Sequence, residues 1–165
     1  MSAAPPERIA WAVRLLAPAA GEQVLEIGCG RGVAVGLLAG AGARVTALDR
    51  SATAIAASRA RNAALEKAGE ASFLCADLSS ADLPAHAFDA ILAINVNLFW
   101  LQPAALMGLT PRLATGGRIV LAYDPPGEAQ ISRIAESLAG GIAAAGLACE
   151  IIRNGGLLGA AARAA

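Results

Sequence analysis

The chain has 165 residues, a length that suits one domain with one core. It is 56% hydrophobic, 16% charged and formally neutral, which speaks against a disordered tail and against a nucleic-acid binder driven by bulk charge. The arginines are scattered and Lys67 is the only lysine; Cys29, Cys75 and Cys149 are odd in number and lack zinc-site spacing, so they read as reduced thiols of a cytosolic protein.

MSAAPPERIAW carries Glu7 and Arg8 and no long apolar run, so it does not read as a signal peptide. PPERIAWAVRLLAP predicts a leading helix within residues 1–20, with proline in the first turn, Glu7 at the positive helix end and Pro18 as its stop. The first strand is expected at 23–27 and a helix at 32–41, closed by Gly40 and Gly42. A second strand follows at 43–49, and Ser51 is placed to cap an alanine-rich helix running to about Lys67. ASFLCA, 71–76, is the third strand, and DLSSADLPAHA an irregular link. FDAILAIN, 88–95, is the fourth strand, Pro103 to Ala114 a helix, and GGRIVLAY, 116–123, the fifth strand. The last helix is expected from Glu128 to Ala145 and strand 6 at 149–153. Asn154-Gly155 is a hairpin signal, and GLLGAAARA after it is strand 7. The uncharged stretch between Asp89 and Arg112 imitates a membrane span, but Asn95, Asn97, Gln102 and Pro103 interrupt it, and no membrane association is expected.

Strands alternating with helices, most of them apolar throughout, imply a parallel sheet covered on both faces. The expected architecture is α/β, three-layered and doubly wound, mostly parallel, with seven strands and a C-terminal antiparallel hairpin strand. No linker, repeat or second domain is visible, so residues 1–165 read as one domain.

In such a sheet, ligands bind at the carboxyl ends of the strands, near the switch point. VLEIGCGRG, residues 24–32, puts a glycine turn there, with Gly28, Cys29 and Gly30 where a ligand would approach. The dinucleotide fingerprint G-x-G-x-x-G is incomplete: the third position is Val33, and the third glycine falls at 32. No G-K-[ST] follows, so a P-loop is excluded. Asp49 ends strand 2, where a carboxylate accepts hydrogen bonds from the ribose hydroxyls of any adenosine cofactor; a turn residue before the next helix is its plainer role. Glu26 separates the candidates, because an apolar strand does not readily bury a carboxylate. It would repel a pyrophosphate but not a cation, and S-adenosylmethionine (SAM) carries a sulfonium and an ammonium with no phosphate. The plainer reading is a carboxylate satisfied by backbone amides.

From about Arg8 to Ala165 the sequence resembles the class I SAM-dependent methyltransferases. VLEIGCGRG is similar to their first motif and VTALDRS to the second, with Asp49 as the ribose acid and Arg50 beside it. FLCADLSSADLP resembles the third, FDAILAINVNLFW the fourth, and LATGGRIVLAY the entry to strand 5. The resemblance implies Asp77 and Leu78 against the adenine, Asn95 facing the methionine part of SAM, and a reversed last strand giving the order 3-2-1-4-5-7-6.

Methyl transfer from a sulfonium is an in-line displacement, so alignment is much of what an enzyme can supply, and a base is needed only where the acceptor must lose a proton. His86, the only histidine, reads as a solvent-facing loop residue. YDPP, 123–126, is similar to a D-P-P-Y motif of base methyltransferases, but its order and its strand are wrong. Asn97, Phe99 and Trp100 follow strand 4 as a planar-substrate stack or as core. The recognition loops are short, so the acceptor is a small molecule or another chain, a second copy included, completes the pocket. The expected function is methyl transfer from SAM to an unidentified acceptor; the alternatives are an NAD-dependent oxidoreductase and a non-catalytic SAM-binding or partner-binding module.

Overall fold

The computed structural model describes residues 4–164. Helix α1 (Glu7–Leu16) follows Pro6 and closes with Ala17 in a left-handed conformation, just ahead of Pro18. The chain continues through β1 (Gln23–Ile27), α2 (Val33–Gly40), β2 (Arg44–Asp49), α3 (Ala52–Arg61), α4 (Ala63–Lys67), β3 (Ala71–Cys75) and β4 (Phe88–Ile94). Then come α5 (Leu98–Leu101), 3-10 turns at Pro103–Gly108 and Thr110–Arg112, β5 (Leu113–Tyr123), α6 (Glu128–Ala144), β6 (Leu147–Asn154) and β7 (Leu157–Ala164).

The strands form one sheet in the order β3-β2-β1-β4-β5-β7-β6. The first five strands in that order are parallel, and β7 runs antiparallel between β5 and β6. The expected strand order therefore holds. Leu25 and Ile27 pack toward α6, and Val24 packs toward α1, α2 and α3, as strand alternation requires. Two apolar cores result, one on each face, which is why the strands read as apolar runs instead of alternating ones.

Two contacts fix α1 to the sheet. Gly159 on β7 lies under it: a Cβ there would sit 2.8 Å from the Trp11 ring and 2.7 Å from Leu15. Arg118 on β5 donates to the carbonyls of Leu16 (2.8 Å) and Ala17 (2.9 Å) and pairs with both Glu22 oxygens (2.7 and 2.8 Å). It thereby satisfies carbonyls at the helix end that have no partner within the helix. The pairing also holds the Glu22 carboxyl down at about 2, through the Arg118 hydrogen bonds first and the Ala19 N–H after them.

The sequence reading errs at three places. The helix expected from Pro103 to Ala114 is two 3-10 turns, because Pro103 and Pro111 remove donors and Pro103 and Leu106 lie flush against Gly141 of α6, where a Cβ would stand 2.7 Å from Pro103. Strand 5 accordingly starts at Leu113, with a register irregularity opposite Phe88 and Ala90. The helix expected from Ser51 to Lys67 is capped by Ser51 as anticipated, its hydroxyl accepting from Ala54 N–H at 3.2 Å, but it breaks at Asn62. The Asn62 amide donates to Ser58 O and Gly32 O, both at 2.9 Å, and so competes with helix continuation. Strand β6 begins two residues earlier than expected, and pairing runs to Asn154 opposite Leu157, which leaves Gly155 and Gly156 as the turn.

Candidate cofactor site

β1 and β4 are neighbours that lead in opposite directions across the sheet, and the glycine turn leaves β1 at that switch point. Gly28 and Cys29 both donate their N–H to Leu48 O, at 2.7 and 3.0 Å, which hooks the turn onto the end of β2. Gly28, Gly30 and Gly32 all have positive φ, of 71°, 52° and 76°. Glycine alone adopts this conformation without steric penalty. Space matters as well: a Cβ on Gly28 would be 2.7 Å from Val96, and one on Gly32 would be 2.2 Å from Ser58 Oγ and 2.5 Å from Asn62 Nδ2. The glycine at 32 instead of 33 is therefore where this loop meets α3.

Asp49 sits beside the turn. One carboxylate oxygen accepts from Gly30 N–H and the other from Ser51 N–H, each at 2.9 Å. Each oxygen keeps a lone-pair direction for a hydroxyl donor. Arg50 is exposed, and its carbonyl receives the Cys75 thiol at 3.8 Å. Cys29 is turned inward: its N–H goes to Leu48, its carbonyl accepts Gly32 N–H, and its thiol is buried. Burial, then the neighbouring charge of Glu26, push that thiol up to about 12.

Glu26 is 3% exposed, and its Oε2 has no hydrogen-bond partner. Burial first, and the like charge of Asp49 second, raise its carboxyl to about 8. The sequence suggested a standing negative charge; in the fold, burial favours the protonated acid. Its plainer reading, satisfaction by backbone amides, fails for Oε2.

Asp77 lies past the end of β3 and is exposed; one of its oxygens accepts from Ser79 N–H (3.0 Å) and Ser79 Oγ (2.8 Å), which lowers its carboxyl below the usual range. Leu78 is half-buried against the core on the α6 side. Asn95 has a left-handed φ of 56°, and its Oδ1 accepts Asp124 N–H at 2.9 Å, tying the end of β4 to the end of β5. Its Nδ2 and a second lone pair on Oδ1 are left to face a ligand. Phe99 is core, at 0% exposed, and Trp100 is half-buried under Arg133, whose guanidinium lies 5.5 Å from the ring centre. His86 is exposed and far along the link, its ring against Leu113 O.

Glu26, the three glycines and Asp49 thus form one cluster, with Asp77 and Leu78 beyond β3 and Asn95 beyond β4. Asn62, buried just past the end of α3, supports the loop from below through Gly32 O, and Ser58, buried four residues earlier, packs under Gly32 with its hydroxyl unpartnered. That spacing was visible in the sequence, flanked by the exposed Arg59 and Arg61. A cavity of about 440 Å³ lies elsewhere, lined by Thr46, Ser72, Leu74 and Phe88 of the strands and by Leu83 of the 76–87 link.

An adenosine cofactor carrying positive charge fits this cluster: a close backbone turn, a carboxylate with lone pairs to spare, and an orphaned carboxyl oxygen below. Together with a reversed strand between β5 and β6, these features define the class I methyltransferase architecture. The methyltransferase domain family matches residues 24–117, and the chain belongs to it, among the SAM-dependent class I enzymes. The protein-L-isoaspartate O-methyltransferase of Methylorubrum populi is 39% identical over 130 residues, covering 78% of this chain and 58% of that protein. The ubiquinone biosynthesis O-methyltransferase of Thiobacillus denitrificans is 30% identical over 112 residues, covering 68% of this chain and 47% of that protein. The chain therefore spans roughly half the length of these relatives. The geranyl diphosphate C-methyltransferase of Streptomyces coelicolor, solved with S-adenosyl-L-homocysteine, superposes with a TM-score of 0.77 at 15% identity, covering 96% of this chain and 77% of that one. That likeness speaks for the fold. Among the described residues no helix is long and apolar enough to cross a membrane.

Proposed function

We propose that this chain transfers a methyl group from SAM to an oxygen of a small-molecule acceptor, and that residues 1–165 act as one SAM-binding domain. SAM supplies a methyl group activated on a positively charged sulfur. Gly28 and Gly30 let the cofactor approach the backbone, and Cys29 shapes the turn between them. Asp49 accepts the ribose hydroxyls while it anchors the loop through Gly30 N–H, with Arg50 flanking it. Asp77 and Leu78 hold the adenine edge and face. Asn95 offers its Nδ2 to the methionine part, and Glu26 lies beneath with a carboxyl whose ionised form a cation favours.

The observation that carries this reading is the orphaned Glu26 carboxyl under a loop whose third glycine is at 32. A cation compensates that carboxyl, and a pyrophosphate does not. The oxygen acceptor is supported by the names of both curated relatives, which are O-methyltransferases. Such an acceptor needs alignment, with a base only if its hydroxyl is un-ionised. A reducing, cytoplasmic setting is supported by Cys29, Cys75 and Cys149, all free. A second copy of the chain could close the acceptor side, which is short in this chain.

Isothermal titration with SAM, S-adenosylhomocysteine and NAD tests the cofactor. The first two should bind and NAD should not. Tighter binding of NAD than of SAM would reverse the reading toward an oxidoreductase. A screen of candidate acceptors with methyl-labelled SAM follows; label that never leaves SAM would leave a non-catalytic SAM-binding module.

A further inference from the structure

We infer that SAM binding is proton-linked: Glu26 is a neutral acid in the free protein and releases its proton to solvent as the cationic cofactor arrives. The inference rests on the SAM-binding reading above and adds a property of Glu26 that the reading does not require.

The geometry around Glu26 carries it. The residue is in the middle of β1, paired with Ala47 on one side and Leu92 on the other. Strand alternation puts its side chain with Val24, toward α1, α2 and α3. On that face the buried side chains are Trp11, Ala12, Val13 and Leu16 from α1, Ala34 and Val35 from α2, Ile55 and Ser58 from α3 with Asn62 just past its end, and Ala90 and Leu92 from β4. None of these carries charge. The loop contributes the Cys29 thiol, which burial keeps protonated, and β2 contributes Asp49, whose charge has the same sign. Arg118 is committed to Glu22 near the amino end of the sheet, and Arg31 and Arg50 are exposed. Among the described residues Glu26 has no cation within ion-pair distance, and its Oε2 has no donor. A buried carboxylate in this setting would be uncompensated, so the proton stays until a positive charge comes close enough to replace it.

The two cofactor forms should then differ. SAM brings a sulfonium and an ammonium beside one carboxylate. S-adenosylhomocysteine has lost the sulfonium and is neutral overall, so it favours the ionised Glu26 less. Glu26 thus makes the site distinguish substrate from product by charge, and makes the distinction grow with pH.

The experiment is titration calorimetry at pH 6.5 in buffers of different ionisation enthalpy, with SAM and with S-adenosylhomocysteine. At this pH the amino group of either ligand stays protonated, since such groups titrate at about 7.7–8.0. The wild-type protein should release close to one proton per SAM bound and clearly less per S-adenosylhomocysteine. Its SAM affinity should rise about tenfold per pH unit between pH 5.5 and 7.5, a readout that needs no variant. Glu26→Gln, nearly isosteric with the protonated acid, should release almost none and show flat affinity. SAM binding without proton release, or with the same release in Glu26→Gln, overturns the inference and leaves the cofactor reading standing. No SAM binding at all overturns both.

Discussion

If Glu26 is held neutral by the fold, replacing it with glutamine should remove a penalty on the folded protein that grows with pH in the absence of cofactor. The folded carboxyl is raised to about 8 from an ordinary value of 4.5. Below pH 4.5 the group is protonated in both folded and unfolded chains and imposes no penalty. Between 4.5 and 8 the unfolded chain ionises while the folded one keeps its proton, so stability falls by about 1.4 kcal/mol per pH unit. Above pH 8 the penalty stops growing. At pH 7 it amounts to about 3 kcal/mol, and at its limit to about 5 kcal/mol. Glutamine does not titrate, so Glu26→Gln removes the slope. Its buried amide leaves a polar atom unpaired, a roughly constant cost of about 1–3 kcal/mol that shifts the level but not the pH dependence. A change of 1 kcal/mol moves Tm by about 2–4 °C in a chain of this size, so wild type and variant should diverge by about 6–12 °C on going from pH 4.5 to pH 7. Thermal denaturation at pH steps from 4.5 to 8 measures this. Parallel Tm curves for the two proteins would refute the reasoning, because they would mean that Glu26 is already ionised or already solvated when folded.

The Glu22–Arg118 pair should behave in the opposite sense: Glu22→Gln should cost about 2–3 kcal/mol at neutral pH, and the loss should vanish as pH falls from about 4.5 toward 2, which acid-limb melting curves would check. Asp49→Ala should leave Gly30 N–H and Ser51 N–H to water and lower SAM affinity about tenfold or more while circular dichroism still reports a folded chain; unchanged affinity would make Asp49 a loop anchor only. Ending the chain at Asn154 removes β7, which pairs with both β5 and β6 and buries Leu157, Leu158, Ala160 and Ala162, so the product should be insoluble or molten; a cooperative melt with full SAM affinity would show that strand to be peripheral.

What the sequence shows of this fold is whatever short-range chemistry decides. Apolar runs mark the strands buried on both faces, Ser51 marks a helix start, and the glycine turn with Asp49 marks the ligand end. What escapes it depends on partners distant in sequence. Pro103 and Pro111 permit several local structures, and only the flat surface at Gly141 selects the 3-10 turns. Asn62 reads as one polar residue in a helix until Gly32 O is brought to it from thirty residues away. The raised carboxyl of Glu26 is invisible in VLEIGCGRG, because it follows first from burial among uncharged side chains of other elements and then from the nearness of Asp49.

The two halves of the site are built on different principles, and that bears on how an acceptor is chosen. On the cofactor side, backbone N–H groups fix the loop and leave Asp49 with lone pairs and Glu26 with an open oxygen. Beyond the ends of β4 and β5 several polar groups are engaged with one another. The Trp100 indole N–H donates to Asn97 Oδ1 at 3.1 Å, Ser137 Oγ donates to Trp100 O at 2.6 Å, Tyr123 OH donates to Val96 O at 2.8 Å, and Asn95 Oδ1 holds Asp124 N–H. A group already bonded within the protein reads a substrate poorly, because it must break one hydrogen bond to make another. On the proposed reading, recognition of the cofactor rests on charge and hydrogen bonds, and selection of the acceptor rests more on shape. Shape alone discriminates related molecules only by about 10- to 200-fold per methylene, far less than a site with free polar groups achieves.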